Sequence, residues 1–157
     1  MKKQLLLAGS VLAACAMTHQ AFAASTTGNA IQQVIAALSI TNVSDLDFGS
    51  AAPGDALKVV APGAAENAEN GSFTVTGQPS TAYTITLPAD GTVTMITGGG
   101  GANETIAVSS FSSFPSGTGM LNGSGTQTLL VGATRAALGA SQVAGSYTAS
   151  YTVTVVY

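Results

Sequence analysis

A chain of 157 residues, 46% hydrophobic and only 7% charged, fits one domain with a real core and a largely uncharged surface. Beyond residue 23 its only basic residues are Lys58 and Arg135, against seven acidic ones, so it has no cationic surface for phosphates and nucleic-acid binding is disfavoured. The single Cys (Cys15) and single His (His19) lie within the first 23 residues and Trp is absent, which removes Ser-His-Asp or Cys-His catalysis, the usual Zn and Cu ligands and any disulfide from the remainder.

Taken in order, Lys2 and Lys3 precede an apolar run over residues 5–17 and the small-residue pattern Ala21-Phe22-Ala23. This reads as a secretory signal over residues 1–23, cut after Ala23, which sends the protein to the periplasm, the cell surface or the medium. The apolar run is too short to span a bilayer. Leu12-Ala13-Ala14-Cys15 offers an alternative, because it resembles the site at which bacterial lipoproteins are cut and lipidated on the Cys.

Residues 24–29 are small and polar and should be flexible. Residues 30–41 (AIQQVIAALSIT) alternate weakly, with Val34, Ala36, Leu38 and Ile40 on one side, and are expected to form a strand. Residues 45–49 (DLDFG) form a short strand with Leu46 and Phe48 inward and Asp45 and Asp47 outward. A turn at Pro53-Gly54 leads to a strand at 56–60 and a loop at 61–71. Residues 72–76 place Phe73 and Val75 inward, residues 82–87 place Tyr83, Ile85 and Leu87 inward, and residues 77–80 join the two as a hairpin. Further strands are expected at 92–96, 105–111 and 126–133, separated by glycine-rich loops at 98–101 and 112–125.

The most strongly patterned stretch comes last, at residues 145–157 (GSYTASYTVTVVY). Gly145 supplies a turn; Tyr147, Ala149, Tyr151, Val153, Val155 and Tyr157 then fall on one side of a long strand, with Ser and Thr on the other. This many short strands with no helical period indicate an all-β, immunoglobulin-like antiparallel β-sandwich.

The chain offers little chemistry. Asp45 and Asp47 share the outward face of one short strand, where two solvated charges would keep an edge from aggregating. Glu66 and Glu69 sit in a solubilising loop. Residues 98–101 lack the strand, helix and Lys that a phosphate cradle requires. No catalytic, cofactor or metal site is expected. Tyr147, Tyr151 and Tyr157 lie along one strand face, as packing against a core or a neighbour would demand.

DLDFG at 45–49, SFTVTGQPSTAYTITLP at 72–88, LLVGAT at 129–134 and AGSYTASYTVTVVY at 144–157 resemble a family of uncharacterised secreted bacterial domains, similar in turn to spore coat protein U and the archaic chaperone–usher pilins. The resemblance implies a sandwich that lacks its own last strand. In such pilins the C-terminal strand borders a hydrophobic groove, which a periplasmic chaperone fills by strand addition until the next subunit's N-terminal extension replaces it at the outer-membrane usher. Carried onto this chain, Gly145, Tyr147, Tyr151, Val153, Val155 and Tyr157 match the strand-pairing terminus.

The groove would be lined by Phe48, Phe73, Tyr83, Ile85, Tyr151, Val153 and Val155, and the candidate donor residues are Ile31, Val34, Ala36, Leu38 and Ile40. The chain therefore divides into residues 1–23 (signal), 24–41 (extension or first strand) and 42–157 (sandwich). Residues 146–157 contain no Lys, Pro or other protection against edge pairing, which suits a strand that awaits a partner. The expected function is a fibre or pilus-like subunit, its partners being other copies or related subunits with a periplasmic chaperone and usher. The alternative is a self-contained secreted or lipid-anchored sandwich with an envelope or binding role, in which residues 30–41 pair with the terminal strand of the same chain. If residues 34–41 are the domain's own first strand, the remaining extension keeps few apolar anchors.

Overall fold

The computed structural model describes residues 23–157. The signal over residues 1–23 and the Cys15 alternative thus lie, apart from Ala23, outside the described residues. The chain divides into one unit ending at Gln33 and another spanning Val34–Tyr157. Within the first unit, residues 23–33 carry no regular secondary structure and are exposed.

The second unit is all-β, with no helix among the described residues. Its strands are β1 (Ser39–Ser44), β2 (Lys58–Val60), β3 (Gly71–Thr76), β4 (Ala82–Thr86), β5 (Val93–Ile96), β6 (Thr105–Phe114), β7 (Thr118–Met120), β8 (Thr126–Arg135) and β9 (Thr154–Val156). They form two antiparallel sheets in a β-sandwich-like arrangement. The larger runs β1-β3-β8-β6-β5, with β2 also paired to β8, and the smaller runs β7-β4-β9.

β8 organises the larger sheet. One of its edges pairs with β6, while the other is shared end to end, β3 taking Thr126–Val131 and β2 taking Ala133–Arg135. Gly132 falls at the changeover, where a Cβ would collide with the Val60 carbonyl oxygen and the backbone of Ala61 and Pro62. On the other edge β6 bulges between Ser109 and Ser112. Ser110 takes up the irregularity at φ 52°, and its N–H donates to Asp90 Oδ1 at 2.6 Å.

Period-two alternation fills the interior. On β8, Leu129, Val131, Ala133 and Arg135 share one face and are all buried. Val75, Tyr83, Ile85, Leu121, Leu129 and Val131 form one core cluster, and Phe48, Val60, Val93, Val108 and Ala133 form another. Phe111 and Tyr151 pack against both and join them. Each fully buried aliphatic or aromatic side chain contributes about 1.5–3 kcal/mol, so these residues carry most of the stability.

Several sequence expectations are corrected. The expected strand over residues 30–41 begins only at Ser39, because its partner β3 ends at the facing residue, Thr76. β1 therefore spans the expected boundary between residues 41 and 42. Residues 77–80 are not a hairpin: β3 already lies between β1 and β8, so the chain crosses to the other sheet before β4 begins. Residues 45–49 form no strand, although Leu46 is half-buried, Phe48 is buried and both Asp are exposed, as the alternation required. The 112–125 loop contains the short strand β7, paired to β4.

The terminal strand is much shorter than expected. Only Thr154–Val156 pair, against Thr84–Thr86, and an isolated bridge joins Thr148 to Ile96. β4 ends at Thr86, two residues before Pro88, which has no N–H to donate, so residues 149–153 find no ladder on that side. Alternation holds from Tyr151 to Val156, with Tyr151, Val153 and Val155 half-buried and Thr152, Thr154 and Val156 exposed, whereas Ala149 and Tyr157, expected on the inward side, are exposed.

Candidate functional site: the seam between β1 and β9

β1 pairs only with β3 and β9 only with β4, so each presents an edge with no strand against it among the described residues. The two edges border the same core cluster: Leu38 and Ile40 reach it from the β1 side, Tyr151, Val153 and Val155 from the β9 side. All five are half-buried, neither sealed nor free. The result is an apolar seam between the two sheets.

One end of the seam is closed by Tyr157. Its hydroxyl accepts the Gln78 N–H at 2.6 Å and donates to the Ala36 carbonyl at 3.0 Å, while Ala36 N–H donates to Gln78 Oε1 at 3.2 Å. Gly77 makes room for this clasp, since a Cβ there would run into the Tyr157 hydroxyl and press on Leu38 and Leu121. Tyr151 stands along the seam, edge-on to Phe73 (centroids 6.2 Å apart) and tilted against Phe111 (5.3 Å). Its hydroxyl is buried without a hydrogen-bond partner among the described residues. Desolvation, with a smaller contribution from the Asp45 charge, pushes the Tyr151 phenol up to about 12.

The expected groove residues mostly come together. Phe73, Tyr83, Ile85, Tyr151, Val153 and Val155 belong to or pack on one cluster, but Phe48 sits in the other. Gly145 and Tyr147 lie away from the seam, in a loop that borders a separate cavity. Tyr147 is pinned there, its hydroxyl donating to the Val143 carbonyl at 2.6 Å and accepting from Gln142 Nε2 at 2.9 Å. The three tyrosines therefore form no common face.

The candidate donor residues also separate. Ile40 lies in β1 opposite Val75, and Leu38 packs on this chain's own core. The Ala36 backbone is held in the clasp, whereas Ile31 and Val34 are 93% and 84% exposed and Ile35 is 48% exposed. Residues 30–41 do not pair with the terminal strand.

No group of three His, Cys, Asp or Glu gathers among the described residues. Asp45 and Asp47 serve their own loop, Asp45 Oδ1 accepting from Asn42 Nδ2 and Asp47 Oδ1 from the Gly49 N–H, each at 2.7 Å. Sequence reasoning missed the burial of Arg135. Carrying the inward series 129, 131, 133 one step further would have found it.

Comparisons with curated proteins and with solved structures each found no match. A family model matches residues 38–157, which takes in every strand described here and all of the seam except the Ala36 end of its clasp. On that match the chain belongs to the family described as a domain of unknown function, DUF4402.

Proposed function

We propose that the chain is a structural subunit that assembles head to tail, the seam between β1 and β9 accepting a strand donated by a neighbouring copy or a related subunit. The observation that carries this reading is the seam itself: two unpaired edges beside one core, lined by half-buried Leu38, Ile40, Tyr151, Val153 and Val155. An open apolar edge is an aggregation hazard unless a partner strand covers it. A donated strand would complete both the ladder and the core, the mode known as β-strand addition. The resemblance to archaic chaperone–usher pilins points the same way and brings with it export, a periplasmic chaperone and an usher.

The donor would be the extension before β1, through Ile31 and Ile35 on one strand face, since Leu38 and Ile40 are engaged in their own domain. Burying these two side chains at about 1.5–3 kcal/mol each, with backbone bonds at about 1 kcal/mol apiece, would offset part of the entropy of ordering the arm. No catalytic role is assigned. A second reading, a self-contained secreted or Cys15-anchored domain with a binding role at the envelope, draws on the Tyr157 clasp, which closes one end of the seam within a single chain.

Size-exclusion chromatography with light scattering, followed by electrophoresis in SDS without boiling, separates the two. Concentration-dependent, SDS-resistant ladders that disappear in Ile31→Asp/Ile35→Asp support assembly. A monomer at every concentration, unchanged by an added peptide spanning residues 24–38, overturns it in favour of the self-contained domain.

A further inference from the structure

Away from the seam, a second cavity of about 450 Å³ opens between the loop at residues 46–53 and the loop at residues 142–147. That volume falls within the range of small-molecule sites, roughly 300–1,000 Å³. Phe48, Met95, Ile106, Leu138 and Val143 give it apolar walls, and Arg135 stands among them.

Arg135 is the sequence's only arginine and is 5% exposed. Its Nη1 donates to the Ala136 carbonyl at 3.0 Å and its Nη2 to the Ala56 carbonyl at 2.9 Å. A guanidinium carries five N–H donors, so three remain unclaimed among the described residues, and the Nε–H is buried with no partner there. No carboxylate among the described residues lies within ion-pair distance of it, since the one ion pair there is Lys58–Glu69 at 2.6 Å. Asp47 borders the same cavity, but it is exposed and its Oδ1 is taken by the Gly49 N–H. A buried cation satisfied only by carbonyl dipoles is costly, and a charge of opposite sign would relieve it.

We infer that this cavity is a binding site for a small monocarboxylate with an apolar body, the carboxylate seated on the free N–H groups of Arg135 and the body against Phe48, Met95, Ile106, Leu138 and Val143. The planar guanidinium fork matches two carboxylate oxygens, and a single fork balances a single negative charge. Phosphate or sulfate would need further cationic donors, and Lys58 is already engaged by Glu69. Small hydrated anions would gain nothing from the apolar walls. The rim is held in shape before any ligand arrives, because Gln142 Nε2 donates to the carbonyls of Asn103 (2.7 Å) and Thr105 (3.2 Å) and to the Tyr147 hydroxyl. The site stands independently of the assembly reading.

A lone arginine makes the test direct, because a ¹⁵N spectrum of the labelled protein contains one Arg Nε–H signal. The wild-type protein is titrated with hexanoate and benzoate, representing a free acid, and with N-acetyltyrosine, representing a polypeptide C-terminus; hexanamide, benzamide and sodium chloride are the controls. A saturable shift of that signal with the carboxylates alone is expected, their order of affinity naming the source. Arg135→Met should abolish the accompanying rise in thermal midpoint while keeping the far-ultraviolet circular dichroism of the wild type. No saturable shift with any carboxylate, or an equal shift with chloride or the amides, overturns the inference; because this readout uses wild-type protein, it holds even if Arg135→Met does not fold.

Discussion

Tyr151 is bound by its ring and not by its hydroxyl. The ring packs between Phe73 and Phe111, edge-on to the first and tilted against the second, while the buried oxygen has no partner among the described residues, and leaving such a group unsatisfied costs about 1–3 kcal/mol. Tyr151→Phe keeps the ring and removes that cost, so it should raise unfolding free energy by about 1 kcal/mol in urea denaturation. The same phenol gives an alkaline signature. Its folded-state value, about 12, lies above the ordinary tyrosine value of 10.0, so the unfolded state loses this proton first as pH rises. The stability linked to it is complete below about pH 10 and falls through the folded value near 12. Denaturation midpoints of the wild type should therefore drop over that interval, and Tyr151→Phe should remove this component of the drop.

At the scale of elements, alternation reports which way a side chain faces and says nothing about what the backbone pairs with. Tyr151, Val153 and Val155 face inward as their spacing required, yet only three residues of the terminal stretch lie in a strand, because β4 offers no ladder beyond Thr86. The extension before Ser39 was misread for the same reason, β3 having ended. β3 and β4 were legible because their apolar residues repeat every second position against a core, and β8 because Leu129-Leu130-Val131 is a short continuous apolar run. The partner of β4 was not legible: adjacency in sequence favoured a hairpin, whereas the occupied edges of β3 sent the chain to the other sheet. Arg135 escaped notice because a basic residue at a strand's end reads as solvated unless the alternation is followed one step further.

Two outcomes follow for the terminal stretch. Val153→Asp sets a carboxylate against the core and should cost several kcal/mol or prevent folding, whereas Thr154→Asp on the exposed face should change stability by about 0.5 kcal/mol or less, both read from thermal midpoints. Amide hydrogen exchange should be slowest in β8 and the strands beside it, and fast over residues 149–153, where no ladder protects the backbone.

For the domain as a whole, the two core clusters could in principle melt separately. β8 runs under both, contributing Leu129 and Val131 to one and Ala133 to the other, and Phe111 and Tyr151 bridge them. The domain should therefore unfold in a single transition, with coincident curves from far-ultraviolet circular dichroism and tyrosine fluorescence. Leu129→Ala, at the fully buried centre of β8, should lower that one transition by about 2–5 kcal/mol without splitting it.

The Tyr157 clasp makes the two ends of the seam unequal. Near Tyr157 three hydrogen bonds link Tyr157, Ala36 and Gln78, while near Tyr151 the contact across the sheets is apolar, its ring lying against Phe73 and Phe111. A strand that entered would displace apolar contacts at the Tyr151 end and hydrogen bonds at the Tyr157 end. The two kinds of contact respond to different changes: Tyr157→Phe, which breaks two of the three bonds, would loosen the clasp and leave the aromatic contacts of Tyr151 in place.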